Sequence, residues 1–184
     1  MTLKDLHIDK TWTLFLDRDG VINKKLEDDY VKHTSEFEFI DGVLNALRIL
    51  DGVFGRIVIV TNQQCIGKRI IYPEDLELIH KNMLYEITYL KGRIDKIYYS
   101  PYLAAENHPT RKPSIGMALQ AQKDFPEIDF NKSIIVGDSI SDMEFGKNAG
   151  MKTVYISTEA KEDVRIDFNF KALIYFAHSL TVKS

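Results

Sequence analysis

The 184-residue chain is 45% hydrophobic and 28% charged, the balance of a globular domain with core enough to fold unaided. Its net charge of −3, with basic residues scattered rather than gathered in a stripe, argues against a nucleic-acid surface, and one cysteine, Cys65, excludes an intrachain disulfide. No apolar run approaches the roughly 20 residues of a membrane span, and the first ten residues lack the apolar stretch of a signal peptide, so a monomeric, cytoplasmic protein is expected.

Residues 13–16, Thr-Leu-Phe-Leu, read as a first buried strand, and a long loop, 18–36, follows it. Val43, Leu44, Leu47 and Leu50 stand at helical spacing. Residues 56–60 are β-branched and apolar, a second strand. A second helix runs from Pro73, suited to a first turn, through Leu76, Ile79, Met83 and Ile87. A third strand is expected at 94–99, then another long loop, 100–112, and a helix over 113–123 with Pro113 in its first turn. Residues 133–136 form a fourth strand, and 140–149 a helix closed by Gly150. A fifth strand at 153–156, a short sixth at 167–170 and a last helix at 171–180 complete the chain.

Strands alternating with helices predict an α/β fold of three layers, with helices on both faces of a mostly parallel sheet. No linker divides the chain, so residues 1–184 are expected to form one domain. In such folds chemistry gathers beyond the carboxyl ends of the strands.

The residues at those ends fit that rule. Asp17 and Asp19 follow the first strand, with Gly20 to let the chain turn. They read as a metal-bound nucleophile beside an acid/base, or as a solvated Asp-Gly turn. Thr61 and Asn62 follow the second strand, where a hydroxyl and backbone N–H groups can hold phosphoryl oxygens, although both are ordinary turn residues. Arg111 and Lys112 precede the expected helix at Pro113, placed to set positive charge against an anion or to be a solvated basic pair. Asp138 ends the fourth strand with Asp142 four residues on, a hard oxygen ligand for Mg²⁺ or a cap for the following helix.

Asp-x-Asp-Gly, Thr-Asn, Arg-Lys-Pro and Gly-Asp-x-x-x-Asp, in this order, resemble the four motifs of the haloacid dehalogenase superfamily of phosphohydrolases. The stretches 15–23, 37–43 and 111–117 resemble its heptose 1,7-bisphosphate and histidinol phosphate phosphatases in particular. That resemblance implies Asp17 as nucleophile and Asp19 as acid and then base. It implies Mg²⁺ held by Asp17, the Asp19 carbonyl and Asp138, with Thr61 and Lys112 on the phosphoryl oxygens. Asp142 would orient Lys112 or stand behind the metal ligands, while Asn62 and Arg111 would contact a small phosphorylated substrate.

The chain departs from that subfamily in the loop before Arg-Lys-Pro. There, 100–110 offers only His108 where a zinc site is common, so no zinc is expected. Cys65 and Ser139 replace a usual glycine and a frequent lysine. The short connections imply an open site without a cap domain, with specificity from loops 26–37 and 101–112. Heptose bisphosphate is the first candidate substrate, with histidinol phosphate, a polynucleotide 3′-phosphate, or a non-catalytic phosphate-binding role as alternatives. Of the histidines His33, His80 and His108, none is expected to be a ligand or catalyst, and Cys65 is expected to be a packed thiol.

Overall fold

The computed structural model describes residues 2–181. The apolar runs form strands β1 (Thr13–Leu16), β2 (Arg56–Asn62), β3 (Lys96–Ser100), β4 (Ser133–Gly137), β5 (Lys152–Ile156) and β6 (Phe168–Phe170). All pair in parallel, in the order β3-β2-β1-β4-β5-β6. Thr13 lies opposite Arg56 of β2 and Ser133 of β4, so β1 is central. The order reverses between β1 and β4, and the crevice at such a switch point is where α/β sheets place ligands.

The helices are α1 (Val43–Val53), a single turn α2 (Gln64–Gly67), α3 (Pro73–Tyr89), α4 (Gly116–Asp124), α5 (Ile140–Ala149) and α6 (Leu173–Thr181). Alternate side chains of a strand face opposite ways, and this divides the core in two. Leu14, Leu16, Ile57, Ile59, Ile134 and Val136 pack with Ala46, Leu47 and Leu50 of α1 and with Leu173, Phe176 and Ala177 of α6. Phe15, Val58, Val60 and Ile135 pack on the other face with Met117, Ala118 and Ala121 of α4 and Phe145 of α5. Among the described residues no further domain interrupts this three-layer arrangement, and no helix is long and apolar enough to cross a membrane.

Several boundaries differ from the sequence reading. The second strand continues to Asn62, because Thr61 and Asn62 still pair with Tyr99 and Ser100. The third starts at Lys96 rather than residue 94. The helix expected at Pro113 begins only at Gly116. The Lys112–Pro113 peptide is cis, and the chain there is tied back on its own loop: Ser114 N–H donates to the Arg111 carbonyl and Gly116 N–H to that of Pro109, both at 2.9 Å. Lys112 therefore reaches the site from a loop, and the helix N-terminus inferred to favour its anion is not there.

Candidate active site

Asp17 follows directly on β1, and its N–H donates to the Val136 carbonyl of β4 at 2.9 Å, which holds it at the switch point. Its Oδ1 accepts from the Arg18 N–H at 2.8 Å and lies 2.9 Å from Lys112 Nζ. No described residue bonds to its Oδ2. The Lys112 ammonium, only 3% exposed, also meets Asp142 Oδ1 at 2.6 Å and donates to the Val60 carbonyl at 2.8 Å. Asn62 sets this arm: its Oδ1 accepts from the Lys112 N–H at 3.0 Å and its Nδ2 donates to the Lys112 carbonyl at 3.1 Å. The amide assigned to substrate from the sequence is thus spent on the lysine's main chain.

Burial raises the Asp17 carboxyl to about 7; Lys112 opposes this, while Asp142 and Asp138 add to it. Burial works against the Lys112 charge too, but Asp142 and Asp17 outweigh it and hold the ammonium above the ordinary lysine range. Asp138 is raised by burial first, then by Asp142, against the pull of Lys25.

Oxygens of Asp17, Asp138 and Asp142 lie within 4.8 Å of one another. Asp138 Oδ1 is buried with no hydrogen-bond partner, a costly state for a carboxylate unless a cation takes it. Hard oxygen donors in this spacing fit Mg²⁺. Asp142 belongs to the lysine instead, because its Oδ2 accepts from Ser139 N–H at 3.0 Å and Oγ at 2.6 Å while Oδ1 meets Lys112. Ser139, not Asp138, caps α5, in a reciprocal box with Asp142. Gly20, at φ +86°, is required here: a Cβ would sit 2.2 Å from Asp138 Oδ2.

The Asp19 carboxylate lies apart from this cluster, which leaves only its main-chain carbonyl to join the metal ligands. Arg18 Nη2 donates to its Oδ1 at 2.8 Å and Oδ2 at 3.0 Å, Asn23 Nδ2 to Oδ1 at 2.9 Å, and Gln63 Nε2 to Oδ2 at 2.8 Å. Burial alone would raise its pKa, but Arg18 and these amides together hold it below the usual carboxylate value. Gln63 Nε2 also donates to Thr61 Oγ1 at 2.9 Å, linking Asp19 to the candidate phosphate-binding hydroxyl.

A cleft of about 230 Å³ opens over Asp17, Asp19, Thr61, Asn62, Lys112 and Asp138. The loop after β1 supplies Lys25, Leu26, Asp29, Tyr30 and Val31 to its wall, whereas the loop before Lys112 supplies nothing else. Arg111 is not among the lining residues; its Nη1 donates to the Tyr102 carbonyl at 2.9 Å. The sequence reading passed over Arg18, Gln63, Lys25 and Tyr30. The last two were detectable only as polar residues in a long loop. Lys25 Nζ donates to Asp138 Oδ2 at 3.0 Å, and Tyr30 OH accepts from Gln64 and Lys68, both at 2.9 Å. His108 stacks on Tyr102, and Cys65 is a buried thiol.

A parallel α/β sheet with acids on two central strand ends and a buried lysine between them defines a phosphatase of the haloacid dehalogenase type. The chain belongs to the family described as polynucleotide kinase 3 phosphatase, whose model matches residues 13–183. It is 38% identical over 164 residues to D-glycero-alpha-D-manno-heptose-1,7-bisphosphate 7-phosphatase of Campylobacter jejuni, covering 89% of this chain and 92% of that one. With D-glycero-D-manno-heptose-1,7-bisphosphate 7-phosphatase of Chlorobaculum tepidum it shares 35% identity over 161 residues, 82% of this chain and 80% of that one. The fold matches D,D-heptose 1,7-bisphosphate phosphatase of B. bronchiseptica, solved with magnesium and phosphate, at TM-score 0.83 and 23% identity, covering 92% and 97% of the two chains. The protein is accordingly a phosphatase of this superfamily.

Proposed function

We propose that the protein is a Mg²⁺-dependent phosphatase that releases a terminal phosphate from a sugar bisphosphate of the D-glycero-D-manno-heptose 1,7-bisphosphate kind. The observation that carries the mechanism is the pairing of Asp17 Oδ1 with the buried Lys112 ammonium at 2.9 Å, which leaves Asp17 Oδ2 without a partner among the described residues. The substrate class rests on the heptose-bisphosphatase relatives at 35–38% identity.

Asp17 Oδ2 attacks phosphorus, the P–O bond to the sugar breaks, and a proton that Asp19 has taken up from solvent, against the pull of Arg18 and its amide partners, passes to the departing alkoxide. Water then attacks the aspartyl phosphate, Asp19 takes its proton, and the bond between phosphorus and Asp17 breaks to release inorganic phosphate. Lys112 and Thr61 stabilise the equatorial oxygens, where negative charge lies in the transition state. Asp17, Asp138 and the Asp19 carbonyl would hold Mg²⁺, which would supply positive charge between the nucleophile and the phosphate dianion. Tyr30, Val31 and Leu26 of the cleft wall face the sugar, and among the described residues no separate lid covers it.

The test is phosphate release with Mg²⁺ from both anomers of heptose 1,7-bisphosphate, histidinol phosphate, a 3′-phosphorylated oligonucleotide and an aryl phosphate. A preference for one sugar bisphosphate, lost in Asp17→Asn, supports the reading. The oligonucleotide is included because the family takes its description from polynucleotide phosphatases; preference for it would overturn the sugar assignment and leave the mechanism intact.

A further inference from the structure

Arg18 is the largest fully buried side chain among the described residues, 1% exposed, and it sits between the two candidate catalytic aspartates in sequence. A guanidinium has donors only, so burial obliges it to find acceptors. Its Nη2 takes both oxygens of Asp19, and Phe37 covers it with the ring centroid 6.0 Å away. Its Nη1 lies 3.1 Å from His80 Nε2. Since arginine cannot accept, His80 Nε2 must be the bare nitrogen and Nδ1 must carry the proton. The imidazole is neutral, consistent with the fall of its pKa to about 3 through burial and then the Arg18 charge.

His80 comes from the middle of α3, an element that contributes no side chain to the cleft. It is 7% exposed and packs edge-on against Tyr99 of β3, with ring centroids 6.4 Å apart. The ring is thus fixed from behind and offers one acceptor to one donor of Arg18. Arg18 Nε has no partner, so without Nε2 the guanidinium would keep only Asp19 and an aromatic face. A forked cation held at one prong can rotate; held at two, it cannot.

We propose that His80 is a positioning residue for the reaction: its Nε2 lone pair fixes the Arg18 guanidinium, and Arg18 in turn fixes the carboxylate of Asp19. This rests on the reading of Asp19 as the acid and base of the two half-reactions. Asp19 must present its carboxyl to the leaving oxygen and then to water, and misplacing such a group by about 1 Å can cost on the order of 100-fold in rate. A histidine present only to satisfy a buried charge would matter to stability and not to turnover.

The experiment compares His80→Leu, His80→Gln and Asp19→Asn in the full chain with Mg²⁺, reading kcat, KM and melting temperature on the substrate the panel selects. Leucine fills the volume and removes the acceptor, whereas the glutamine Oε1 can accept from Arg18. The expected result is a roughly 10- to 100-fold loss of kcat in His80→Leu with KM within about twofold, and near-complete recovery in His80→Gln. Wild-type kcat in a folded His80→Leu overturns the proposal, as do equal losses in the two variants that track their melting temperatures. Should the leucine variant not fold, His80→Asn takes its place, being too short to reach Arg18 while keeping polarity. Full activity of Asp19→Asn would instead sink the acid/base reading itself; an inactive Asp19→Asn beside an unaffected His80→Leu removes only the role of His80.

Discussion

Lys112 is a buried cation between two buried carboxylates, and removing one member of such a set leaves uncompensated charge. Lys112→Met is expected to abolish activity and to destabilise the fold by about 3–5 kcal/mol, read by denaturant unfolding. Adding Asp142→Asn to that variant should restore part of the stability, because the two positions share one ion pair at 2.6 Å and are not additive. His80 gives a pH dependence of known sign. An unfolded histidine takes up a proton below about 6.5, whereas this buried imidazole does not until about 3. Its contribution is therefore complete above pH 6.5 and is lost as pH falls toward 3, by about 1.4 kcal/mol per unit. Comparing unfolding free energies at pH 7 and pH 5, the wild type should lose about 2 kcal/mol more than His80→Gln; equal losses would mean the ring is protonated in the fold. At this scale the convergence of Asp17, Thr61 and Asp138 on one cleft was legible, since each closes or follows an apolar run, whereas Lys112 stood out only as a basic residue before Pro113. Arg18, Gln63 and His80 were not: their roles come from contacts 44 and 62 residues apart in sequence that no local pattern encodes.

The loop after β1 is the element that most shapes the site. Two expectations follow from how it approaches Asp138. Lys25 lays its ammonium on Asp138 Oδ2 at 3.0 Å, so it competes with any cation bound there. Lys25→Ala is expected to lower the Mg²⁺ concentration for half-maximal activity, and calorimetric titration of Mg²⁺ should show tighter binding; unchanged affinity would place Lys25 outside the metal's reach. Gly20→Ala should do the opposite. Its Cβ would collide with Asp138 Oδ2 and its φ of +86° suits glycine, so weakened Mg²⁺ binding and a loss of stability of about 1–2 kcal/mol are expected. Strand and helix order could be read from periodicity alone, and α5 ends at Gly150 where its glycine predicts. The start of α4 could not. Pro113 favours a first helical turn in general, but here the loop binds its own backbone, a tertiary choice that overrides the local one.

At the scale of the whole molecule, the site exists because one sheet is clamped between two helical layers at a fixed spacing. One of these layers includes α5, which is capped by Ser139, carries Asp142 in its first turn and packs on β4 and β5. Gly146 allows that approach: a Cβ there would come 2.3 Å from Ile135 Cγ2 and 2.7 Å from Thr153 Cγ2. Both contacts are with buried side chains of β4 and β5 that cannot move aside without disturbing β4, which Asp138 follows and which pairs with β1 before Asp17. Gly146→Val is therefore expected to lift α5 from the sheet at a cost of about 1–3 kcal/mol, the usual penalty of overpacking. Because Asp142 moves with the helix, the ion pair that aims Lys112 should loosen as well, and kcat should fall by more than the fraction unfolded at assay temperature explains. A variant with lowered stability and fully preserved kcat would show that the site tolerates a shift of α5, and that Lys112 is aimed by Asn62 and the Val60 carbonyl alone.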